Sequence, residues 1–227
     1  MGKKEKKRLP DNQSSLVQDF YPKTDKQAEL VNLINKREVI LATGPAGTGK
    51  TYVALATALS LLGETYKQII LVKSVTTLPG EEIGFLKGDK DQKMEPFIMS
   101  YVWNIDKICG KDSAKKLMDK KIVDVLPLAY IRGLSIDNSI VIIDEAQNID
   151  THTFKTMITR IGTDSKYILL GDVEQIDRKK KGESCLQTVM SIFKDSNIIG
   201  TLEFTDEDCV RNPIIPKILS ILRENNI

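Results

Sequence analysis

The sequence predicts an α/β fold, a mostly parallel twisted sheet flanked by helices, on three observations. Short apolar runs of strand length alternate with longer stretches of helical period, the arrangement that pairs strands in parallel and covers both sheet faces. One glycine-rich run, Gly44-Pro45-Ala46-Gly47-Thr48-Gly49-Lys50-Thr51, joins such a strand to such a helix. Two later apolar runs stop abruptly at acids, as strands do where their carboxyl ends open on a ligand crevice.

Taken in order, the first ten residues hold Lys3, Lys4, Lys6, Lys7 and Arg8 against Glu5 alone, and residues 1–15 are expected to be a disordered basic arm, with residues 16–227 forming the folded domain. Thr24-Asp25-Lys26-Gln27 ahead of Ala28, Leu30, Val31 and Ile34 reads as a capped amphipathic helix. Val39-Ile40-Leu41-Ala42 reads as the first strand, and Tyr52 to Leu62 as the helix behind the glycine-rich run. Gly63 stops that helix, and residues 68–73 make a second buried strand. A stretch punctuated by Gly and Pro, from Pro79 to Asp89, leads into a helical region from about Asp91 to Lys121 that carries the only tryptophan, Trp103. Residues 79–121 are therefore expected to be a helical insertion. Strands are expected again at 122–126, 139–143, 166–170 and 198–204, and helices near 151–160, 183–194 and 214–225.

The length of 227 residues suits one generous domain. The net charge of +2 is concentrated in the arm, so the body is close to neutral and any affinity for nucleic acid must come from local patches or from that arm. Cys109, Cys185 and Cys209 are widely spaced and form no CxxC pair, which points to a reducing, cytoplasmic setting. The longest apolar stretch, Val53 to Leu62, is too short to cross a bilayer, and no apolar segment follows the basic start, so neither a membrane span nor a secretion signal is expected.

Strand, glycine-rich loop, helix is the order that binds phosphate. The loop N–H groups and the helix amino end face the anion, Lys50 reaches the β- and γ-phosphates, and Thr51 holds Mg²⁺. Gly44, Pro45, Ala46, Gly47, Thr48, Gly49, Lys50, Thr51 and Tyr52 are thus the candidate nucleotide-binding residues. Ile140-Val141-Ile142-Ile143 ends in Asp144-Glu145, where Asp144 would support Mg²⁺ and Glu145 would take a proton from the attacking water; the same pair could instead cap the next helix. A built-in water-activating acid argues against small-molecule kinases and GTPases. Leu169-Leu170-Gly171-Asp172 repeats the design, and Gln175 beyond it could orient water or sense the γ-phosphate, or belong to a polar turn.

With these motifs the chain resembles the PhoH family, single-domain ATPases related to superfamily one helicases. The matching stretches are residues 42–51, Gly80 to Asp89, Leu128 to Gly133, Ile143 to Asn148, Thr159 to Gly162, Gly171-Asp172 with Gln175 to Asp177, and Phe204-Thr205 with Asp208, Val210, Arg211 and Pro213. The chain departs from cellular members with Lys73-Ser74 where those tend to have Arg-Pro, and its compactness is similar to viral members, for which the setting would be the host cytoplasm. The resemblance implies a P-loop core of the RecA-like kind, Mg-dependent ATP hydrolysis, and binding or unwinding of RNA or single-stranded nucleic acid. A single core lacks the second motor domain that clamps ATP in helicases, so a homo-oligomeric ring such as a hexamer is expected.

Four further features keep two readings each. Arg132 and Arg211 are both candidates for the cation that neutralises growing charge on the γ-phosphate, in its own chain or a neighbour's, or for structural ion pairs. Gln27 recognises the adenine edge, as a helicase Gln in this region does, or completes the capping box. Arg178-Lys179-Lys180-Lys181 grips polynucleotide phosphates or is a solvated loop. As a whole the chain is read as an ATPase acting on nucleic acid; a nucleotide-dependent protein-binding switch is the alternative and a small-metabolite phosphotransferase a weaker third.

Overall fold

The computed structural model describes residues 16–18, 20–74, 90–131, 133, 135–173, 175, 184–212 and 214–225, with backbone alone at 90–97, 216 and 223. Six apolar segments pair as β1 (Val39–Thr43), β2 (Gln68–Lys73), β3 (Val123–Pro127), β4 (Ser139–Asp144), β5 (Lys166–Gly171) and β6 (Ile199–Glu203). Their spatial order is β3-β2-β4-β5-β1-β6. Every pairing is parallel. Each expected strand lies within one residue of its observed ends.

The strands read as unbroken apolar runs because helices cover both faces of the sheet. Ile40, Ile69, Ile140 and Ile168 face one side, packed with α1 (Asp25–Lys36), α2 (Lys50–Ser60), α3 (Lys90–Cys109) and α4 (Ser113–Asp119). Their neighbours Leu41, Ile70, Val141 and Leu169 face the other, packed with α5 (Leu128–Ile131), α6 (Thr151–Ile158) and α7 (Leu186–Phe193). A final helix, α8 (Ile214–Glu224), ends the described chain. The expected helical region 91–121 is two helices, because Gly110 (φ +98°) and Asp112 (φ +62°) adopt left-handed backbone that no helix continues through. The single turn α5, directly after β3, and two 3₁₀ turns at Ala146–Asn148 and Asp206–Asp208 carry no periodic signal and were not expected. The basic arm, the 79–89 stretch, Arg132 and residues 178–181 lie outside the described residues.

This topology places the site. The chain leaves β1 and β2 toward the first face but leaves β4 and β5 toward the second. Since β1 lies beside β5, their connections diverge and open a crevice at the carboxyl edge of the sheet.

Candidate active site

Residues 44–49 leave β1 and turn over the amino end of α2. Side chains have no room in this turn. A Cβ on Gly44, at φ +140°, would stand 2.5 Å from the carbonyl oxygen of Phe204, and one on Gly49, at φ +83°, 2.8 Å from the amide nitrogen of Gln27. Glycine leaves instead a backbone cradle, closed by the buried Thr48 hydroxyl donating to Pro45 O at 3.0 Å, which fits an anionic phosphate chain. Lys50 Nζ donates to Gly44 O at 2.7 Å and Pro45 O at 2.9 Å. Burial lowers its pKa; the carboxylates of Asp172, Asp144 and Glu145 oppose that shift, and Arg211 adds to it.

Thr51, in the first turn of α2, donates its hydroxyl toward both Asp144 oxygens at 3.4 Å. One hydroxyl and one carboxylate thus meet at the end of β4, a donor set of hard oxygens that fits Mg²⁺. Burial raises the pKa of Asp144 and the neighbouring Glu145 raises it further, while the Glu145 N–H, Lys73 and the Thr51 hydroxyl work the other way. A divalent cation at this point would offset the cost of keeping the acid ionised.

Glu145 leaves β4 at φ +58°, a left-handed conformation costing on the order of 1–3 kcal/mol for a residue with a β-carbon. Gln147, only 2% exposed, holds it: its Nε2 donates to Glu145 Oε2 at 2.7 Å while its Oε1 accepts from Asp172 N at 3.1 Å. One buried amide therefore ties the tip of β4 to the tip of β5. There Asp172 Oδ2 accepts from Gln175 Nε2 at 2.8 Å.

Arg211 arrives from beyond β6. Phe204 N donates to Thr43 O at 2.8 Å and Val210 N to Gly47 O at 3.0 Å, so this segment is stitched to the loop at both ends. Between them the 3₁₀ turn Asp206–Asp208 is capped by Thr205 and Asp208, which gives Asp208 a local structural role. A Cβ on Gly47 would stand 3.3 Å from Arg211 Cδ, so the arginine stem lies against the loop of its own chain. Lys50, Thr51, Asp144, Glu145, Asp172, Gln175 and Arg211 border one cavity of about 290 Å³.

The family model for PhoH-like protein matches residues 19–223. The chain belongs to the PhoH-like family. It is 35% identical over 204 residues to a PhoH-like protein of Bacillus subtilis (strain 168), covering 90% of this chain and 64% of that one. It is also 35% identical over 198 residues to a PhoH-like protein of Synechocystis sp. (strain ATCC 27184 / PCC 6803 / Kazusa), covering 87% and 60%. The chain thus spans about three fifths of the length of these relatives. Among solved structures, the large terminase of a thermophilic bacteriophage aligns with a TM-score of 0.48 at 13% identity, over 83% of this chain and 47% of that one. Family, loop and sheet together make this a nucleotide-binding P-loop NTPase domain.

Of the residues singled out in the sequence, the PhoH-like core brings Lys50, Thr51, Asp144, Glu145, Gln175 and Arg211 to the one cavity, with Tyr52 on its wall. Gln27 is 3% exposed and spends its amide inside the protein, donating to Thr48 O at 2.8 Å and accepting from Lys23 N at 2.8 Å. The Thr24 hydroxyl accepts from Gln27 N as a capping box requires, but the return bond goes to Lys23 N instead of Thr24 N. In this geometry Gln27 fastens α1 to the loop, and contact with an adenine edge would require it to give those bonds up.

Sequence reasoning missed Lys73, at the end of β2, and Ser100 and Asn104, on α3, all of which line the cavity. It also missed Tyr101, which is 1% exposed and whose hydroxyl feels the Asp144 carboxylate. Burial, then the Asp144 and Glu145 carboxylates, push its pKa up. No spacing rule links these residues to the loop. Only Gln147, inside the motif 143–148 and two residues beyond Glu145, carried a signal.

Proposed function

We propose that the chain hydrolyses ATP with Mg²⁺ and couples the reaction to binding or unwinding RNA or another single-stranded nucleic acid. The observation that carries this reading is the convergence of the Thr51 hydroxyl on Asp144 with Glu145 next in the chain, fixed by Gln147. Lys50 and the loop N–H groups hold the phosphates. Thr51 and Asp144 would hold Mg²⁺, which when bound supplies charge neutralisation at the β- and γ-oxygens. Glu145 accepts the proton of the attacking water, Gln175 senses the γ-phosphate through Asp172, and Arg211 offsets charge growing on the transferred group. The nucleic-acid half of the reading rests on family membership and is a proposal about a chain shorter than its relatives. Association into a ring such as a hexamer is part of the same reading, supported by an apolar stripe of Ile214, Ile218, Ile221 and Leu222 left exposed on α8. Three free thiols fit a cytoplasmic setting, and no described helix is long and apolar enough to cross a membrane.

ATP turnover measured with and without single-stranded RNA and DNA tests the reading. Stimulation by a polynucleotide is the expected result, and ATPase activity indifferent to both would leave a protein-binding switch. Glu145→Gln should keep ATP affinity and lose turnover by about two orders of magnitude or more, the low end of a positioned base. Near-normal turnover in that variant removes Glu145 from the mechanism.

A further inference from the structure

The helix that lends Ser100 and Asn104 to the cavity turns a different face to solvent. Trp103 stands there 76% exposed, one helical turn from Met99 at 49%. A tryptophan left this open forfeits apolar burial, and its surroundings are not apolar. From Trp103 to Lys121 the chain holds six lysines against three aspartates. One of those acids, Asp106, is engaged by Ala114 N at 2.8 Å, at the junction of α3 and α4. Helix α4 buries Ala114 and Leu117 and turns Lys115 and Lys116 outward, with Lys120 exposed just past its end, so these basic groups are on the solvent side. Lys107 is drawn away toward the cavity, its Nζ 5.5 Å from the centre of the Tyr52 ring.

An exposed flat aromatic on α3, with outward lysines on the helix packed against it, matches a polyanion with stackable bases better than it matches an acidic or apolar protein surface. A second copy laid on the same face would bring lysines against lysines. We infer that Trp103 is a stacking platform for a base of single-stranded nucleic acid, with Lys115, Lys116 and Lys120 holding the adjoining phosphates. The inference rests on the nucleic-acid half of the proposed function and adds the place where the strand lies. Its position also gives a route to the chemistry: the residue before Tyr101 and the residue after Trp103 line the nucleotide cavity, and the buried Tyr101 hydroxyl feels the Asp144 and Glu145 carboxylates. A base stacked on α3 would bias the helix that carries all three.

Because Trp103 is the sole tryptophan, its emission reports this site alone. Titration of the full chain with oligo(U) and oligo(dT) should quench that emission saturably, in step with binding followed independently by the anisotropy of a labelled oligonucleotide. Trp103→Ala should weaken binding roughly 5- to 150-fold, the range for one stacked base, and Trp103→Phe should restore most of it. Changing Lys115, Lys116 and Lys120 to Gln should flatten the log–log salt dependence by about 0.7 per lost contact. Basal ATPase activity should be unchanged in all three, with stimulation by the oligonucleotide lost in Trp103→Ala. Saturating anisotropy without quenching, or equal affinity of Trp103→Ala, overturns the platform while leaving the nucleic-acid reading intact. No binding of either oligonucleotide overturns both. Emission that shifts with protein concentration, with Trp103→Ala lowering the mass in solution, would assign the face to a second copy and overturn the inference.

Discussion

Two lysines, one half-buried and one buried, mark opposite edges of the same parallel sheet. Lys50, at the carboxyl edge, has its pKa lowered by burial but lies among Asp172, Asp144 and Glu145, whose charges pull it back. Lys166, the first residue of β5 at the amino edge, is 3% exposed; burial pushes its pKa down to about 8, with Glu38 the one carboxylate opposing the shift, and its ammonium donates to Arg37 O. The first cation sits in a cluster of charges whose repulsions a nucleotide and a metal ion would relieve. The second is satisfied within the fold. Burial alone thus does not distinguish a site from scaffold; the number of like and unlike charges left facing one cavity does.

The largest expected effect at the carboxyl edge, beyond that of Glu145, belongs to Arg211. Its replacement by alanine should lower ATP turnover by about 10³-fold or more if it acts as the finger. Because its stem lies on Gly47 of its own chain, mixing Arg211→Ala with Lys50→Ala chains should restore nothing. Recovery in the mixture would show that the arginine serves a neighbour, and would leave the observed contact without a catalytic role.

A smaller effect separates the two strand tips that look alike in sequence. Asp144 faces the Thr51 hydroxyl, whereas Asp172 acts on Lys50 and holds Gln175. Asp144→Asn should raise the Mg²⁺ concentration needed for half-maximal turnover roughly 10- to 100-fold. Asp172→Asn should slow turnover with the Mg²⁺ requirement unchanged. Equal shifts in both variants would mean that the metal is shared between the tips.

What could be read in the sequence follows the same division. The strands were legible because sheets covered on both faces need unbroken apolar runs, and the loop because a phosphate cradle admits little but glycine at positions 44 and 49. Asp144 and Glu145 stood out as charges ending such a run. The contribution of α3 was hidden, since Ser100 and Asn104 reach the cavity only through the way a helix after β2 packs back over the sheet. Arg211 was visible as a candidate, but the Val210 N to Gly47 O bond that sets it beside its own loop joins residues far apart in the chain. Gln27 kept two readings because sequence cannot reveal that its amide donates to Thr48 O and accepts from Lys23 N.

The smallest effect is expected at Lys166, and it should appear in stability and not in turnover. Its folded pKa of about 8 lies below the ordinary lysine value of 10.5, so between those limits the unfolded chain binds the proton more readily than the folded one. Below about pH 8 both states are protonated and the full penalty of burying the cation is present; as pH rises toward 10.5 that penalty fades and the fold gains stability. Cys109 and Cys185 work in the opposite sense, since burial pushes both thiols up to about 11 and the fold loses their contribution over part of the same range. A single pH profile therefore mixes the two, and the wild type must be compared with Lys166→Met, which keeps the buried stem and removes the titrating group. Urea unfolding of both proteins at intervals from pH 7 to about pH 10 should show the stability of the variant relative to wild type declining steadily across the window, with ATP turnover at pH 7 the same in both. A difference that stays flat with pH would mean that Lys166 titrates alike in the folded and unfolded chains, and the contrast between the two edges would then rest on the carboxyl-edge charges alone.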